Sequence, residues 1–180
     1  MNEKQIKSIS KFLSFILRHQ PDIIGLHLDE EGWADVNELI AKSATSHTIM
    51  TRELLETVVS TNDKKRFAYN EDKSKIRASQ GHSVEIELNL ESKEPPEHLY
   101  HGTVDKFIEA IKATGLQKMN RNHVHLSAIK ETAINVGSRR GKPIVLLINA
   151  GKMHEEGFQF YLSANGVWLT EHVPEHFITF

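Results

Sequence analysis

Residues 66–83, RFAYNEDKSKIRASQGHS, decide how the first half of this chain is read. RFAY and KIRAS are short β-prone runs, and the NEDKS between them supplies Asn, Asp and Ser, residues that favour turns. That arrangement predicts a β-hairpin. At its exit Gly81 permits a sharp bend. Arg77, Gln80, His82 and Ser83 then offer hydrogen-bonding groups around that bend. Read blandly, this is a strand exit with solvated polar residues.

Upstream of the hairpin, residues 3–19 place Ile6, Ile9, Phe12, Leu13, Ile16 and Leu17 at helical spacing. Arg18 and His19 fall in the last turn, and Pro21 forbids continuation. Cations are favoured at a helix C-terminus by about 0.3–1 kcal/mol, so the bland reading of this pair is dipole complementation. GLHLDEEGWADVNELI (25–40) reads as an extended stretch, a turn at Glu31–Gly32 and a helix capped by Asp35, with Glu38 placed as in a capping box. A further helix is expected from Thr51 to Ser60 on Leu54, Leu55, Val58 and Val59. Three helices followed by a hairpin is the pattern of a winged helix.

Downstream, NLESKEPPE (89–97) is polar and carries two adjacent prolines, the composition of a linker. A second lobe follows. HLYHGT, HVHLS, KPIVLLINA, FQFYLS, GVWLTEHV and FITF read as strands, with KPIVLLINA a continuous apolar run expected to be buried. VDKFIEAIKAT, ended by Gly115, and AIKETAINVGS read as helices inserted early. The expected class is α+β in two lobes: 1–88, a linker at 89–97, and a mixed lobe at 98–180.

The chain has 180 residues, 39% of them hydrophobic, with a formal net charge of −2. Wholesale capture of a long nucleic acid is therefore not expected, although local phosphate contact is. The absence of cysteine excludes a disulfide scaffold, a thiolate zinc site and a Cys nucleophile. The periodic N-terminus does not read as a signal peptide, and no apolar run is long enough to span a membrane, so a cytoplasmic protein is expected.

Against this slightly acidic background, Arg and His concentrate in LRHQP (17–21), RF (66–67), IRASQGHS (76–83), LYHGT (99–103), HVHLS (123–127) and GSRRGKP (137–143). Such grouping points to a local anion site, most simply for phosphate, because guanidinium is a planar donor fork that keeps its charge. Gly102 would let a ligand approach the backbone closely, against the bland reading of a strand ending in a turn. His123 and His125 share one face of a strand, but no further suitable ligand completes a zinc set, so no metal is expected. No G-x-G-x-x-G, P-loop or G-x-S-x-G motif occurs.

Taken in order, LRHQP, LDEEGWADVNELI, KKRF, IRASQGHS, LYHGT, HVHLS, VGSRRGKP and FYLSANGVWLTEHVP resemble the NAD-dependent RNA 2′-phosphotransferases, best known from tRNA, over nearly the whole chain. The resemblance implies a winged-helix RNA lobe followed by an ADP-ribosyltransferase-like lobe that holds NAD. It places the family's catalytic set on Arg18, His19, Arg77 and Arg139. It also puts His101, Gly102, Thr103, His125, Ser127, Val167 and Trp168 at the NAD pocket, and Lys64, Arg66, Gln80 and His82 against RNA. Many ADP-ribosyltransferases carry a Glu at their third signature position. Here the apolar Val167–Trp168 region stands instead, which counts against transfer to protein side chains. The implied partners are NAD as co-substrate and RNA bearing an internal 2′-phosphate, with no metal, membrane or obligate protein partner. Two alternatives stay open. One is an ADP-ribosyltransferase acting on nucleic-acid terminal phosphates or small molecules. The other is a non-enzymatic winged-helix nucleic-acid-binding module.

Overall fold

In the computed structural model, which describes residues 2–180, helix α1 runs Glu3–Arg18. Asn2 caps it, its Oδ1 accepting from Gln5 N at 2.8 Å. The buried stripe is Ile9, Leu13, Ile16 and Leu17. Past His19, Pro21 opens a single 3-10 turn that closes at Gly25 in the left-handed region (φ 64°).

Strand β1 (Ala34–Asp35) leads into α2 (Val36–Ser43), capped by Asp35 Oδ1 accepting from Glu38 N at 2.8 Å. The expected box is only half made: the Glu38 carboxylate accepts from Lys42 Nζ at 2.6 Å and His27 N at 3.3 Å. Thr51 caps α3 (Arg52–Ser60) through Leu54 N at 3.2 Å. β2 (Phe67–Tyr69) and β3 (Lys75–Ala78) form the predicted hairpin, with Phe67 opposite Ala78 and Tyr69 opposite Ile76. β1 adds to the other edge, giving an antiparallel sheet in the order β1-β3-β2. The three helices and this sheet enclose one core, in which Leu13, Ile16, Leu17, Leu39, Leu55 and Ile76 are fully buried. Each such side chain contributes roughly 1.5–3 kcal/mol relative to exposure.

The chain divides into two compact units, the first ending at Asn89 and the second running Leu90–Phe180. Of the segment expected to be a linker, Lys93 N donates to Phe160 O at 2.8 Å and Glu97 O accepts from Gly151 N at 3.0 Å, so both are bonded into the second unit.

The second unit contains β4 (Leu99–Val104), α4 (Ile108–Thr114), β5 (Leu116–Gln117), β6 (Val124–Leu126), α5 (Lys130–Gly137) and β7 (Pro143–Ile148). It continues with α6 (Ala150–Glu155), β8 (Phe160–Leu162), β9 (Trp168–Thr170), β10 (His172–Val173) and β11 (Ile178–Thr179). Two antiparallel sheets, β11-β7-β4 and β6-β9-β8, are accompanied by the pair β10-β5. Reciprocal bonds between Tyr100 and Ser127, at 2.8 and 2.9 Å, tie β4 to the end of β6. The core gathers Leu99, Leu126, Leu146, Ile148, Met153, Phe160 and Trp168.

Two expectations change here. The run 142–150 is not strand throughout: Asn149 Oδ1 accepts from Lys152 N at 3.2 Å and starts α6, a helix the sequence reading lacked. β7 is not buried along its whole length; Leu146 and Ile148 are fully buried while Val145 and Leu147 are half-buried, the alternation of a one-sided strand. The bland alternative of a strand ending in a turn at LYHGT falls as well, since β4 runs through Gly102 to Val104, in keeping with the strand expected over HLYHGT. The chain is α+β, as expected. No helix among the described residues is long and apolar enough to cross a membrane.

Candidate active site

In the first unit, polar groups converge where α1 ends. The carbonyl of Arg18 accepts from Ser83 N at 2.8 Å and Val84 N at 3.3 Å, which pins the segment after β3 to the helix terminus. Gly81 makes this return possible with φ 89°, a conformation that costs other residues free energy. The Ser83 hydroxyl lies 2.8 Å from His19 Nδ1. Arg18 itself is partly buried, with Nε and Nη2 shut off from solvent.

The turn before β1 supports the other arginine. Asp29 Oδ1 accepts from Glu31 N at 3.1 Å and Trp33 N at 2.9 Å, and Lys75 Nζ lies 3.0 Å from Asp29 Oδ2. Burial opposes ionisation of Asp29, but the bonds from Trp33, Lys75 and Glu31 outweigh it and hold the carboxyl below its ordinary range. The turn presents the Trp33 ring 4.4 Å from the Arg77 guanidinium carbon, and Arg77 Nη1 donates to Glu31 O at 3.3 Å. Arg77 is thus oriented by an aromatic face and a carbonyl and keeps its positive charge. Burial lowers its pKa, and Glu31 and Asp29 partly offset that effect.

His82 sits among these groups at 1% exposure, with neither ring nitrogen hydrogen-bonded. Burial first, and then Arg18, Arg77 and His19, push its pKa down to about 3. It is neutral at any ordinary pH. The corner therefore joins two guanidinium groups, the His19 imidazole and one imidazole held uncharged.

A second basic group lies in the second unit. His101 Nδ1 donates to the His125 carbonyl at 3.0 Å, which fixes the proton on Nδ1 and leaves Nε2 unprotonated in the neutral ring. Burial disfavours its charge; the His125 carbonyl works the other way, and Arg140 and Arg121 add to the lowering. Arg121 Nη1 donates to His125 Nδ1 at 3.2 Å. Its own pKa is lowered by burial, then by Arg140 and Arg139. Arg139 and Arg140 lie in the single turn Ser138–Arg140 that follows α5. Among the described residues no group of three or more His, Cys, Asp or Glu could hold a metal ion.

The family model described as RNA 2′-phosphotransferase, Tpt1 / KptA family, matches residues 3–172. The chain belongs to this family. It is similar at 63% identity to a probable RNA 2′-phosphotransferase of Flavobacterium johnsoniae, over all of this chain and 99% of that protein. Proteins of the same printed name from Rhodopirellula baltica and Streptomyces coelicolor are 57% and 51% identical, over 99% and 100% of this chain and 97% and 98% of theirs.

Within this family member, Arg18, His19, Arg77 and His82 come together in the first unit, while Arg139 joins the second unit's group with His101 and His125. Lys64 is exposed and Arg66 half-buried in the turn before β2. Gln80 and His82, expected against RNA, lie beneath the surface at 8% and 1% exposure. Thr103 is buried and Ser127 half-buried next to the Tyr100 bridge. Gly102 leaves no opening on its missing side-chain direction: a Cβ there would stand 1.8 Å from Ala133 O, so helix backbone fills the space expected for a ligand. Trp168 packs in the core, and Val167 closes a turn with Ser163 through bonds of 2.9 and 3.0 Å. Trp33 and Arg121 were not among the residues expected at the site. The available signals were an aromatic directly after the Glu31–Gly32 turn and an Arg four residues before His125.

Proposed function

We propose that the protein is a cytoplasmic, NAD-dependent RNA 2′-phosphotransferase, with a winged-helix first unit and an ADP-ribosyltransferase-like second unit. It removes an internal RNA 2′-phosphate and releases nicotinamide, 2′-hydroxyl RNA and ADP-ribose 1″,2″-cyclic phosphate. The observation that carries this reading is the family match over residues 3–172, with relatives alike from end to end. The helical first half closed by β1-β3-β2 supports the winged-helix assignment. The grouping of Arg121, Arg139 and Arg140 about His101 supports a dinucleotide pyrophosphate as the ligand of the second unit.

In the first step an oxygen of the RNA 2′-phosphate attacks the ribose carbon that bears nicotinamide. The C–N bond breaks and its electron pair leaves with neutral nicotinamide. The nucleophile is already an anion and the leaving group comes from a pyridinium cation, so neither a general base nor an acid is required. The difficulty is electrostatic: two unit charges about 4 Å apart repel by about 4 kcal/mol at an effective dielectric near 20. Guanidinium groups offset that term.

In the second step the 2″-hydroxyl of the attached ADP-ribose attacks phosphorus and gives up its proton. The bond from phosphorus to the RNA 2′-oxygen breaks, and that oxygen takes up a proton. Arg18 and Arg77 stabilise the charge on the phosphoryl oxygens, with Arg139 as the family's remaining catalytic position. His19 is the proton donor.

The test is incubation of the protein with NAD and an oligoribonucleotide bearing one internal 2′-phosphate. Nicotinamide, dephosphorylated RNA and the cyclic phosphate are expected in equal amounts. NAD consumption that stops at ADP-ribosylated RNA would reassign the protein to simple ADP-ribosyl transfer. No NAD consumption would overturn the reading.

A further inference from the structure

We propose that Ser83 is a positioning residue for His19: its hydroxyl fixes the imidazole while its own backbone is tied to Arg18. Two bonds of one residue carry the inference. Ser83 N donates to Arg18 O at 2.8 Å, and Ser83 Oγ lies 2.8 Å from His19 Nδ1. Val84 N reaches the same Arg18 carbonyl at 3.3 Å. The preceding residues anchor this stretch from behind, since His82 is almost wholly buried and its Nε2 would lie 3.4 Å from a Cβ on Gly32. The Ser83 hydroxyl is therefore carried on backbone held at both ends.

The bond acts on the His19 ring. It lies one residue beyond α1, at φ −128° and ψ −48°, with its amide bonded to Phe15 O at 3.0 Å. The backbone is set, but the ring's two side-chain torsions are not fixed by helix geometry. A hydroxyl suits an imidazole that cycles between charge states. It accepts from Nδ1–H both of the imidazolium and of the neutral tautomer that keeps its proton there. Nε2 can then lose and regain a proton while the ring keeps one orientation. A carboxylate in this place would favour the cation alone. An aliphatic side chain would remove this hydrogen bond. Ser83 is exposed, so its bond competes with water and its contribution lies in orientation more than in stability.

The proposal rests on the reading of His19 as proton donor in the second step. Its test therefore has one arm that needs no catalysis. In single turnover, Ser83→Ala should slow conversion of ADP-ribosylated RNA to products by about 10–100-fold relative to nicotinamide release, the scale expected for a misplaced catalytic group. Ser83→Thr should restore the ratio. Ser83→Cys, nearly isosteric but a weak hydrogen-bonding partner, should resemble Ala and serves if Ala folds poorly. Independently, the 15N shifts of the His19 ring should show a changed tautomer balance in the Ala and Cys variants and wild-type values in Thr. Unchanged His19 shifts in Ser83→Ala would overturn the proposal, whatever the activity. Changed shifts with an unchanged second step would overturn the catalytic part of it. If the wild type consumed no NAD, the proposed reaction would fall while the spectra still decided the contact.

Discussion

The chemistry of His82 departs from its ordinary value, and the departure has a measurable sign. Its folded pKa is pushed to about 3, while an unfolded histidine titrates near 6.5. Between those values the unfolded chain binds a proton that the folded chain refuses. Stability from this group is present above about pH 6.5 and is lost as pH falls toward 3, by roughly 1.4 kcal/mol per unit at the steepest. Urea unfolding of the wild type between pH 4 and 7 should show this slope, and His82→Leu should flatten it. An unchanged slope would mean that the ring is not buried uncharged. Arg18, His19 and Arg77, which act on His82, were visible in the sequence because rare cationic types cluster in LRHQP and IRASQGHS. Trp33 and Arg121 were not legible, since a lone tryptophan or arginine in a loop has no periodicity to give it away. His82 was legible as a polar residue but not as a buried one, because burial depends on what packs over it.

At the level of elements, α5 on β4 is the contact that decides how the second unit packs. Its approach requires Gly102, whose absent side chain leaves room for the Ala133 carbonyl. Gly102→Ala should therefore force the helix off the strand and destabilise the protein by about 1–3 kcal/mol, the usual cost of overpacking. Thermal unfolding would measure it, and a neutral effect would mean that the helix has other ways to seat. From the sequence this glycine looked like a place for a ligand, since a glycine says that something comes close but not what. The lost helix α6 has a related cause. Asn149 is a good cap, but it stands directly after PIVLLI, and the apolar run dominated the reading. Helix α1 and the 66–83 hairpin were legible because their periods, terminators and turn residues all agreed.

For the whole molecule, each unit closes its own core, one on Leu13, Leu55 and Ile76 and the other on Leu146, Ile148 and Phe160. Residues 1–89 expressed alone should give a dispersed amide spectrum and one cooperative unfolding transition. A molten fragment would show that the first core is incomplete. The change in composition around the two prolines lies close to the boundary between the units, and the family was legible from the order of its motifs. The bonding of Lys93 and Glu97 into the second unit was not, because backbone hydrogen bonds of a polar segment leave no mark on side-chain pattern. In the proposed two-step reaction Arg18 serves the second step. This role is tested most directly by following Arg18→Ala in single turnover with NAD and 2′-phosphorylated RNA. Nicotinamide should be released and ADP-ribosylated RNA should accumulate, with cyclic phosphate formed about 100-fold or more slowly. Cyclic phosphate appearing at the wild-type rate, with no intermediate, would contradict it.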